Sequence, residues 1–272
     1  MYFERAFQRL GTAAQHFWMR DIASVPSGFA WYLRIDHGDY QEPWPRRLRP
    51  AAFYVIDTHL PKSLAKLRRQ AQDYDWIFCA QRNAVPSFER ASWLPLACDA
   101  AMHSGAARPS QFAIGFVGTD GGLPRKLYLQ ELRERYPDSY IGYAPHTQMS
   151  EIYRSSSLVF NYSIRNDINM RIFEALCAGR CLLTNAINEN GFDELFRDRE
   201  HLVVYHSPHE LYHLLEYYLT HDEERERIAQ QGQALVLAQH TYVHRAQTIL
   251  QRVGQALTGP QTHVTEPLCA SS

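Results

Sequence analysis

Short apolar runs alternate with amphipathic stretches along most of the chain, and this alternation limits the possible folds more than any other feature. A short apolar run bounded by turn residues favours a buried strand, whereas apolar residues spaced three and four apart favour a helix. A chain that alternates between the two builds βα units, whose strands lie in a mostly parallel sheet. The sequence therefore predicts an α/β fold.

The predicted strands fall into two sets on either side of an aperiodic stretch that contains Pro109. The first set comprises residues 30–35, 51–56, 76–80 and a short strand at 93–96, with a helix at 62–72. The second set comprises residues 112–117, 139–142, 158–162, 181–184 and 202–205, followed by helices at 210–219, 223–238 and 242–257. We expect a shortened N-terminal Rossmann-like domain over 1–97, a linker over 98–110, a second Rossmann-like domain with terminal helices over 111–258, and a disordered tail over 259–272.

The overall charge and the cysteines narrow the class of protein. Lys and Arg number 28 against 29 Asp and Glu, so no net basic field favours nucleic acid or an anionic membrane as a partner. Five cysteines without disulfide-framework spacing favour a reducing compartment. The first residues lack a signal-peptide pattern, and no run of about 18 apolar residues could span a membrane. The sequence predicts a cytoplasmic protein with a small-molecule ligand.

A glycine-containing turn follows the first predicted strand of the second set. Gly118 and Thr119 begin this turn, and Arg125 lies in the helix that comes next. Glycine lets backbone amides approach a diphosphate, a helix start favours anions, and a nearby cation neutralises charge. The alternative is an ordinary turn into a helix, because the segment matches neither a dinucleotide-binding nor a P-loop motif.

The segment 158–184 holds a helix that starts near residues 167–169 and ends at Gly179. Arg171 and Glu174 are three residues apart, so they lie on one side of this helix and can share a site. The alternative is a solvated ion pair between the two.

Polar residues also follow two predicted strands of the first set. They are Asp36 and His37 after one strand, and Asp57 and His59 after the next. At the carboxyl ends of parallel strands they would face the cleft between domains, where a histidine or aspartate can orient or deprotonate an acceptor hydroxyl. The alternative is that the aspartates form turns and His59 bonds locally.

Two further patterns have simpler explanations than a binding site. Residues 209–213 match the zinc-protease pattern H-E-x-x-H, but Ser207 and Glu210 predict a helix-capping box that places His209 in a frayed first turn. Residues 44–49 combine Trp44 with three arginines, but the prolines around them exclude an amphipathic membrane helix and favour a solvated loop.

Several pieces of the chain occur in a recognisable order: YDWIFCAQ, WLPLACD, FVGT, MRIFEALCAGRCLLT, EYYLTHDEERERIAQQG and HTYVHRAQTIL. Together they span residues 74–250 and resemble the CgeB-like (spore maturation protein) branch of the GT-B glycosyltransferases, in the glycosyl transferases group 1 superfamily. The resemblance implies two Rossmann-like domains that face a cleft, with C-terminal helices packing back across them. It implies a nucleotide-sugar donor in the second domain and an acceptor in the first.

The resemblance also implies roles for individual residues. Glu174 would bind the donor ribose, Gly118 and Thr119 would lie beside the diphosphate, and Arg125 followed by Arg171 would neutralise it. Tyr143, Asn166 and Asn169 complete the predicted donor site. The implied reaction is a retaining, metal-independent glycosyl transfer with no cofactor.

Two departures from the family pattern leave a second function open. Related retaining enzymes have a glutamate eight residues before Glu174, where this chain has Asn166, and they open with a strand that this chain replaces by a helix-like start. The alternative is therefore a non-catalytic GT-B protein that binds a nucleotide sugar or a partner. The sequence does not identify the acceptor, which can be a glycan, lipid, protein or small molecule.

Overall fold

Parallel strands need a crossover connection, and helical segments supply most of the connections between the strands of this α/β chain. A computed structural model describes residues 2–36, 42–105 and 108–258. The strands are β1 Tyr32–Ile35, β2 Ala51–Val55, β3 Trp76–Cys79, β4 Ala91–Trp93, β5 Phe112–Val117, β6 Tyr140–Gly142, β7 Ser156–Asn161, β8 Cys181–Asn185 and β9 Val203–Tyr205. Within the described residues they form two parallel sheets, in the orders β1-β2-β3-β4 and β6-β5-β7-β8-β9.

Helices lie in most of the intervals between the strands and end the described chain. They are α1 Tyr2–Arg9, α2 Pro61–Ala71, α3 Ala100–His103, α4 Arg125–Arg135, α5 His146–Arg154, α6 Met170–Cys177, α7 Phe192–Leu195, α8 Pro208–Thr220, α9 Asp222–Gln239 and α10 Tyr242–Thr258. Short 3₁₀ turns lie at Met19–Ser24, Arg82–Ser87 and Ile164–Asn166. The predicted fold class of two parallel-sheet α/β domains is confirmed.

Buried strands explain why the apolar runs were recognisable. Every residue of β2 is buried, and so are most residues of β5, β7 and β8, because helices cover both faces of the sheets. Burial on both faces gives continuous apolar runs rather than an alternating pattern. The domain limits at 97 and 110 stay a prediction, and the predicted disordered tail, 259–272, lies outside the described residues.

The stretch predicted to be an aperiodic linker contains the short helix α3. Asp99 begins it, because the Asp99 side chain accepts a hydrogen bond from the Ala101 N–H at 3.0 Å. A helix of four residues is too short to show a period in the sequence. The local capping residue is the signal that indicates it.

The C-terminal helix α10 packs back on the first half of the chain, as expected. It contacts α1, and its N-terminal end pairs with the linker: the Tyr242 N–H donates to the Cys98 carbonyl at 2.9 Å. The buried Arg245 donates to the carbonyls of Pro95 and Leu96 at 2.7 and 3.0 Å. Hydrogen bonds from a charged donor are stronger than neutral ones, so Arg245 fixes α10 to the residues just before the linker.

Candidate functional site

The second sheet reverses its direction of growth at β5. The chain forms β6 on one side of β5 and then crosses to the other side to form β7, β8 and β9. Open parallel sheets bind ligands in the crevice that such a reversal leaves at the carboxyl ends of the strands. Here the crevice lies between the turn after β5, which starts at Gly118, and the segment from β7 to α6. The glycine turn and the helix that carries Glu174 therefore meet at one edge of the sheet.

Gly118 brings the backbone of the turn against α6. Its φ is 148°, and its N–H donates to the carbonyl of Gly142 at 2.9 Å. A Cβ at this position would lie 2.6 Å from Nη2 of Arg171. Both the backbone angle and the close approach favour glycine, which has no side chain to collide.

Arg171 is held by the ends of the two central strands. Its Nε and Nη2 donate to the Val117 carbonyl at 3.3 and 3.1 Å, and its Nη1 donates to Oδ1 of Asn161 at 2.8 Å. The guanidinium lies 4.1 Å from the ring centroid of Phe116. These bonds use three of the five N–H donors of a guanidinium, so donors remain for a ligand.

Arg125 also lies near the Phe116 ring. Its guanidinium carbon is 6.0 Å from the Phe116 centroid, and its Nε donates to the Asp120 carbonyl at 2.9 Å. Burial and then the nearby Arg171 charge lower the pKa of Arg125. Among the described residues, the hydrogen-bond acceptors of both guanidiniums are carbonyl or amide oxygens rather than carboxylates. The carboxylates of Asp120 and Asp167 are close enough to act on the Arg125 charge, but they are not its hydrogen-bond acceptors. Two cations that are close together and not hydrogen-bonded to a carboxylate favour the binding of an anion.

Glu174 is buried on the adjacent turn of α6. Burial raises the pKa of Glu174 to about 7, and the charge of Arg171 opposes that rise. Its Oε1 lies 3.9 Å from Nε2 of His103, and a ligand atom of His146 lies within 4.8 Å of both groups. The solvated ion pair between Arg171 and Glu174 that the sequence left open is not formed, because Glu174 is buried and Arg171 bonds to Val117 and Asn161.

Asn169 belongs to the same network. Its Nδ2 donates to Oδ1 of Asn161 and to Oγ of Ser163, both at 3.2 Å. Its Oδ1 is buried and has no hydrogen-bond partner, so it is available to a ligand donor. Asn169 therefore lies beside Arg171, with which it shares the Asn161 oxygen.

The other predicted donor residues are held differently. Oδ1 of Asn166 accepts a hydrogen bond from the Asn188 N–H at 3.3 Å, so this amide fixes the loop rather than facing a ligand. Thr119 is exposed, and Tyr143, which follows β6, is 78% exposed. The structure does not join these three side chains to the cluster around Arg171.

Asp36 ties the first two strands of the first sheet together. Its Oδ2 accepts hydrogen bonds from the backbone N–H groups of Ile56 and Asp57, both at 3.2 Å. Burial raises the pKa of Asp36 despite these bonds. This geometry favours the structural alternative for Asp36. His37 lies outside the described residues.

His59 faces the second half of the molecule. Its Nδ1 is 3.8 Å from Oδ1 of Asp167, and this buried nitrogen has no hydrogen-bond partner. Burial lowers the pKa of His59, with the charge of Asp57 opposing. His59 is therefore neutral at pH 7 and has a lone pair that can accept a hydrogen bond.

Asp167 is a site residue that no sequence motif indicated. Its Oδ1 accepts a hydrogen bond from Nε2 of Gln81 at 2.5 Å, across the boundary between the two sheets. Burial and then the Asp57 charge raise the pKa of Asp167 to about 7, while Arg171 and Arg125 oppose the rise. The preceding Arg165 and Asn166 have positive φ values of 55° and 60°, a conformation that is uncommon without glycine. The one feature of the sequence that could have indicated Asp167 is its position four residues before Arg171, which places both residues on the same side of the predicted helix.

The structure also explains the two rival motifs. Oγ of Ser207 accepts from the Glu210 N–H at 3.1 Å, so the predicted N-cap is confirmed. The Glu210 carboxylate accepts from the His206 N–H at 2.7 Å, one residue before the N-cap, rather than from the N–H of Ser207. Arg47 donates to backbone carbonyls of the 3₁₀ turn Met19–Ser24, and Trp44 Nε1 donates to the Leu48 carbonyl. Both patterns therefore have local structural roles. Within the described residues, no helix combines the length and apolar character that crossing a membrane requires.

Several proteins of known structure share the fold of this chain. Anabaena HepE in complex with UDP and glucose matches with a TM-score of 0.58 and 13% identity, over 77% of this chain and 72% of that one. Sucrose-phosphate synthase from Thermosynechococcus elongatus matches with a TM-score of 0.58 and 10% identity, over 77% and 68%. At these identities the likeness establishes the GT-B fold. No curated protein sequence matches the chain.

A family assignment comes from the sequence itself. The profile of the glycosyl transferase-like family matches residues 102–251, which is more than half of the chain. The matched region contains the glycine turn, both arginines and Glu174. The chain therefore belongs to the glycosyl transferase-like family and has the GT-B fold.

Proposed function

We propose that this glycosyltransferase moves a sugar from a nucleotide-sugar donor to an acceptor hydroxyl, and that UDP-sugars are the first donors to test. The observation that carries the proposal is the pair of guanidiniums, Arg125 and Arg171, at the crevice of the second sheet. A departing diphosphate carries the negative charge that such a pair stabilises. The structures of HepE with UDP and with UDP-glucose support uridine nucleotides as the starting point.

The proposed step breaks the bond between the anomeric carbon and the diphosphate oxygen and forms a bond from that carbon to the acceptor oxygen. The electron pair leaves with the nucleoside diphosphate, where Arg125, Arg171 and the backbone near Gly118 stabilise it. His59, neutral and facing the second half, orients the acceptor hydroxyl. In a retaining reaction the acceptor approaches on the face that the diphosphate leaves, so the acceptor proton passes to the departing phosphate oxygen.

We further propose that the reaction retains the anomeric configuration of the donor sugar and needs no metal ion. The arginine pair supports a metal-free reaction, because it supplies the positive charge that a bound cation would otherwise supply. Proton NMR of the first-formed product tests retention, since the donor and the product should have the same anomeric configuration. Turnover that disappears with EDTA and returns with Mg²⁺ would contradict metal independence.

Donor identity is best tested by thermal shift with a panel of nucleoside diphosphates and nucleotide sugars. A ligand at 100 times its dissociation constant stabilises the fold by about 2.7 kcal/mol, which is easily measured. We expect one base to stabilise the protein and the others to do so weakly. If the whole panel leaves the melting temperature unchanged, the proposed donor site is wrong.

Asn166 favours a second candidate, a protein that binds a nucleotide sugar without transferring it. Its neutral amide occupies the position of the expected glutamate and is used to hold the Asn188 backbone. A binder would be stabilised by the donor but release no nucleoside diphosphate with any acceptor. Release of UDP from a stabilising UDP-sugar would exclude this candidate.

We also propose that the chain belongs to the CgeB-like branch of its family. The support is the order of the sequence pieces, from YDWIFCAQ with Gln81 to MRIFEALCAGRCLLT with Glu174. Gln81 of the first piece bonds to Asp167, three residues before the second piece begins. A profile of that branch alone should align across residues 74–250 without a break. An alignment that fails before the linker would contradict the assignment.

A further inference from the structure

A cluster of two histidines and a tyrosine surrounds Glu174, and these three side chains have no role in the reaction proposed above. His103 ends α3, His146 begins α5, and Tyr2 begins α1. The Tyr2 hydroxyl lies 3.4 Å from Nε2 of His103 and also contacts Nε2 of His146. The cluster thus joins three separate elements around the carboxylate of α6.

The protonation of His103 follows from its backbone contact. The Asp99 N–H donates to Nδ1 of His103 at 3.1 Å, so this nitrogen is an acceptor. Burial lowers the pKa of His103 to about 4, which keeps the ring neutral. A neutral imidazole has one N–H, and here it must be on Nε2. His103 therefore presents a hydrogen-bond donor toward Glu174.

This donor and the Glu174 carboxylate suit a hydroxyl group. Nε2 of His103 and Oε1 of Glu174 are 3.9 Å apart, too far for a direct hydrogen bond. Two hydrogen bonds of about 2.8 Å that meet at one oxygen at about 90° span a distance of about 4 Å. A hydroxyl can accept from Nε2–H and donate to the carboxylate at once. The Tyr2 hydroxyl, beside both histidines, is already a group of this kind.

The same tautomer disfavours a metal ion. His103, His146 and Glu174 place ligand atoms within 4.8 Å of one another, as a metal site would. A metal needs the lone pair of Nε2, and its proton would have to move to Nδ1, which faces the Asp99 N–H. Two N–H groups would then oppose each other in a buried position, which is costly.

The resemblance already assigns the donor ribose to Glu174. We propose that His103 donates a hydrogen bond to the ribose hydroxyl that Glu174 accepts from, and that this second bond increases the selectivity of the site for ribonucleotides over deoxyribonucleotides. This inference rests on the proposed function, because it requires a nucleotide in the crevice. Tyr2 places its own hydroxyl beside the same donor and competes with the ribose.

Two substitutions of His103 separate a ligand-binding role from a structural one. In His103→Asn the amide oxygen can replace Nδ1 and accept from Asp99, but the donor at Nε2 is lost. In His103→Gln the terminal amide nitrogen can replace Nε2, but the acceptor for Asp99 is lost. The pair therefore removes one function of the ring at a time.

Isothermal titration of UDP, 2′-deoxy-UDP and 3′-deoxy-UDP with the full chain and both variants tests the proposal. We expect the wild type to bind UDP about tenfold more tightly than one deoxy analogue, which corresponds to about 1.4 kcal/mol. His103→Asn should reduce that preference by weakening UDP alone, because Glu174 can still accept from the hydroxyl, and His103→Gln should retain most of it.

Each contrary result has a distinct meaning. If His103→Asn weakens UDP and both deoxy analogues equally, His103 is structural and the inference is wrong, while the proposed function stands. Stoichiometric binding of Zn²⁺ alone that His103→Asn abolishes would overturn the tautomer and the inference. If neither UDP nor GDP, ADP or CDP binds the wild type, the proposed function fails together with the inference.

Discussion

The carboxyl edges of the two sheets hold their polar side chains in different ways. At the second sheet, Arg171, Asn161 and Asn169 bond to one another and to the strand ends. At the first sheet, His59 and Gln81 face Asp167, which belongs to the β7–α6 segment of the second half. The carboxyl edge of the second sheet (the second edge) is therefore held by bonds among its own residues. The side chains at the carboxyl edge of the first sheet (the first edge) instead face the β7–α6 loop of the second half.

This difference predicts that the two edges have different roles in the reaction. Groups that are fixed in advance stabilise developing charge without reorganising, which suits the leaving diphosphate. Groups that face each other across two domains depend on how the domains close, which suits acceptor positioning. Changes at the second edge should alter donor binding and rate together, and changes at the first should alter rate with donor binding intact.

The largest expected effect comes from Arg125. Arg125→Met removes a cation from the proposed leaving group and should lower kcat by about 10²–10³-fold, equivalent to about 3–4 kcal/mol. UDP affinity should fall as well. Arg133→Met is the matched control, since Arg133 lies on the same helix and also donates to a carbonyl, that of Ile141. Equal kinetics for the two variants would remove Arg125 from the site.

The next effect is on stability and depends on pH. The pKa values of Glu174 and Asp167 are raised to about 7, above the usual 4.5 and 3.8 that they regain on unfolding. The folded state therefore binds more protons between about pH 4 and pH 7, and its free energy of unfolding falls as the pH rises through that window. Glu174→Gln and Asp167→Asn should each reduce this fall by on the order of 2 kcal/mol.

Urea denaturation at pH 5 and pH 8 measures that change. The Gln81 bond can persist in Asp167→Asn because the asparagine oxygen still accepts, so loss of charge is separated from loss of the contact. Thr184→Ser, a buried residue of β8, serves as a control without a titrating group. A pH dependence that is unchanged in both carboxyl variants would contradict the burial of their charges.

The two edges also differ in how much the sequence predicted. Along the second sheet, the apolar run of β5 was predicted with the observed bounds, and Gly179 ends α6 with a φ of 72° as expected. Such features depend on neighbours in sequence: burial on both faces gives a continuous apolar run, and a left-handed stop requires glycine. The positions of Arg171 and Glu174 on one helix followed from the same local periodicity.

Contacts between distant segments could not be predicted in this way. Gln81 and Asp167 are 86 residues apart, and no periodicity encodes which loop of one domain meets a strand end of the other. His103 lies in a helix too short to detect, and its tautomer depends on a single backbone N–H. Asp36 was equally ambiguous, because the sequence could not distinguish a side chain facing a cleft from one bonded to the adjacent strand.

His59 offers a smaller effect that tests the first edge directly. His59→Gln removes the neutral ring beside Asp167 and should lower kcat by about tenfold through poorer acceptor orientation, with UDP affinity unchanged. Thr58→Val is the matched control, because the adjacent hydroxyl is buried without a partner. A loss of UDP affinity in His59→Gln would show that the first edge also binds the donor, which contradicts a role limited to acceptor positioning.

The smallest effect concerns Tyr2, which brings the N-terminal helix to the second edge. Its ring stacks on Tyr242 at a centroid distance of 4.8 Å, and its hydroxyl lies beside His103. Tyr2→Phe retains the stacking and removes the competing hydroxyl, so UDP should bind about threefold more tightly, a gain below about 1 kcal/mol. The deoxy analogue that lacks the bound hydroxyl should gain nothing, which provides an internal control in the same titration. Equal gains for both ligands would mean that Tyr2 blocks the crevice by bulk, and weaker UDP binding would mean that its hydroxyl contributes to the site instead of competing with the ribose.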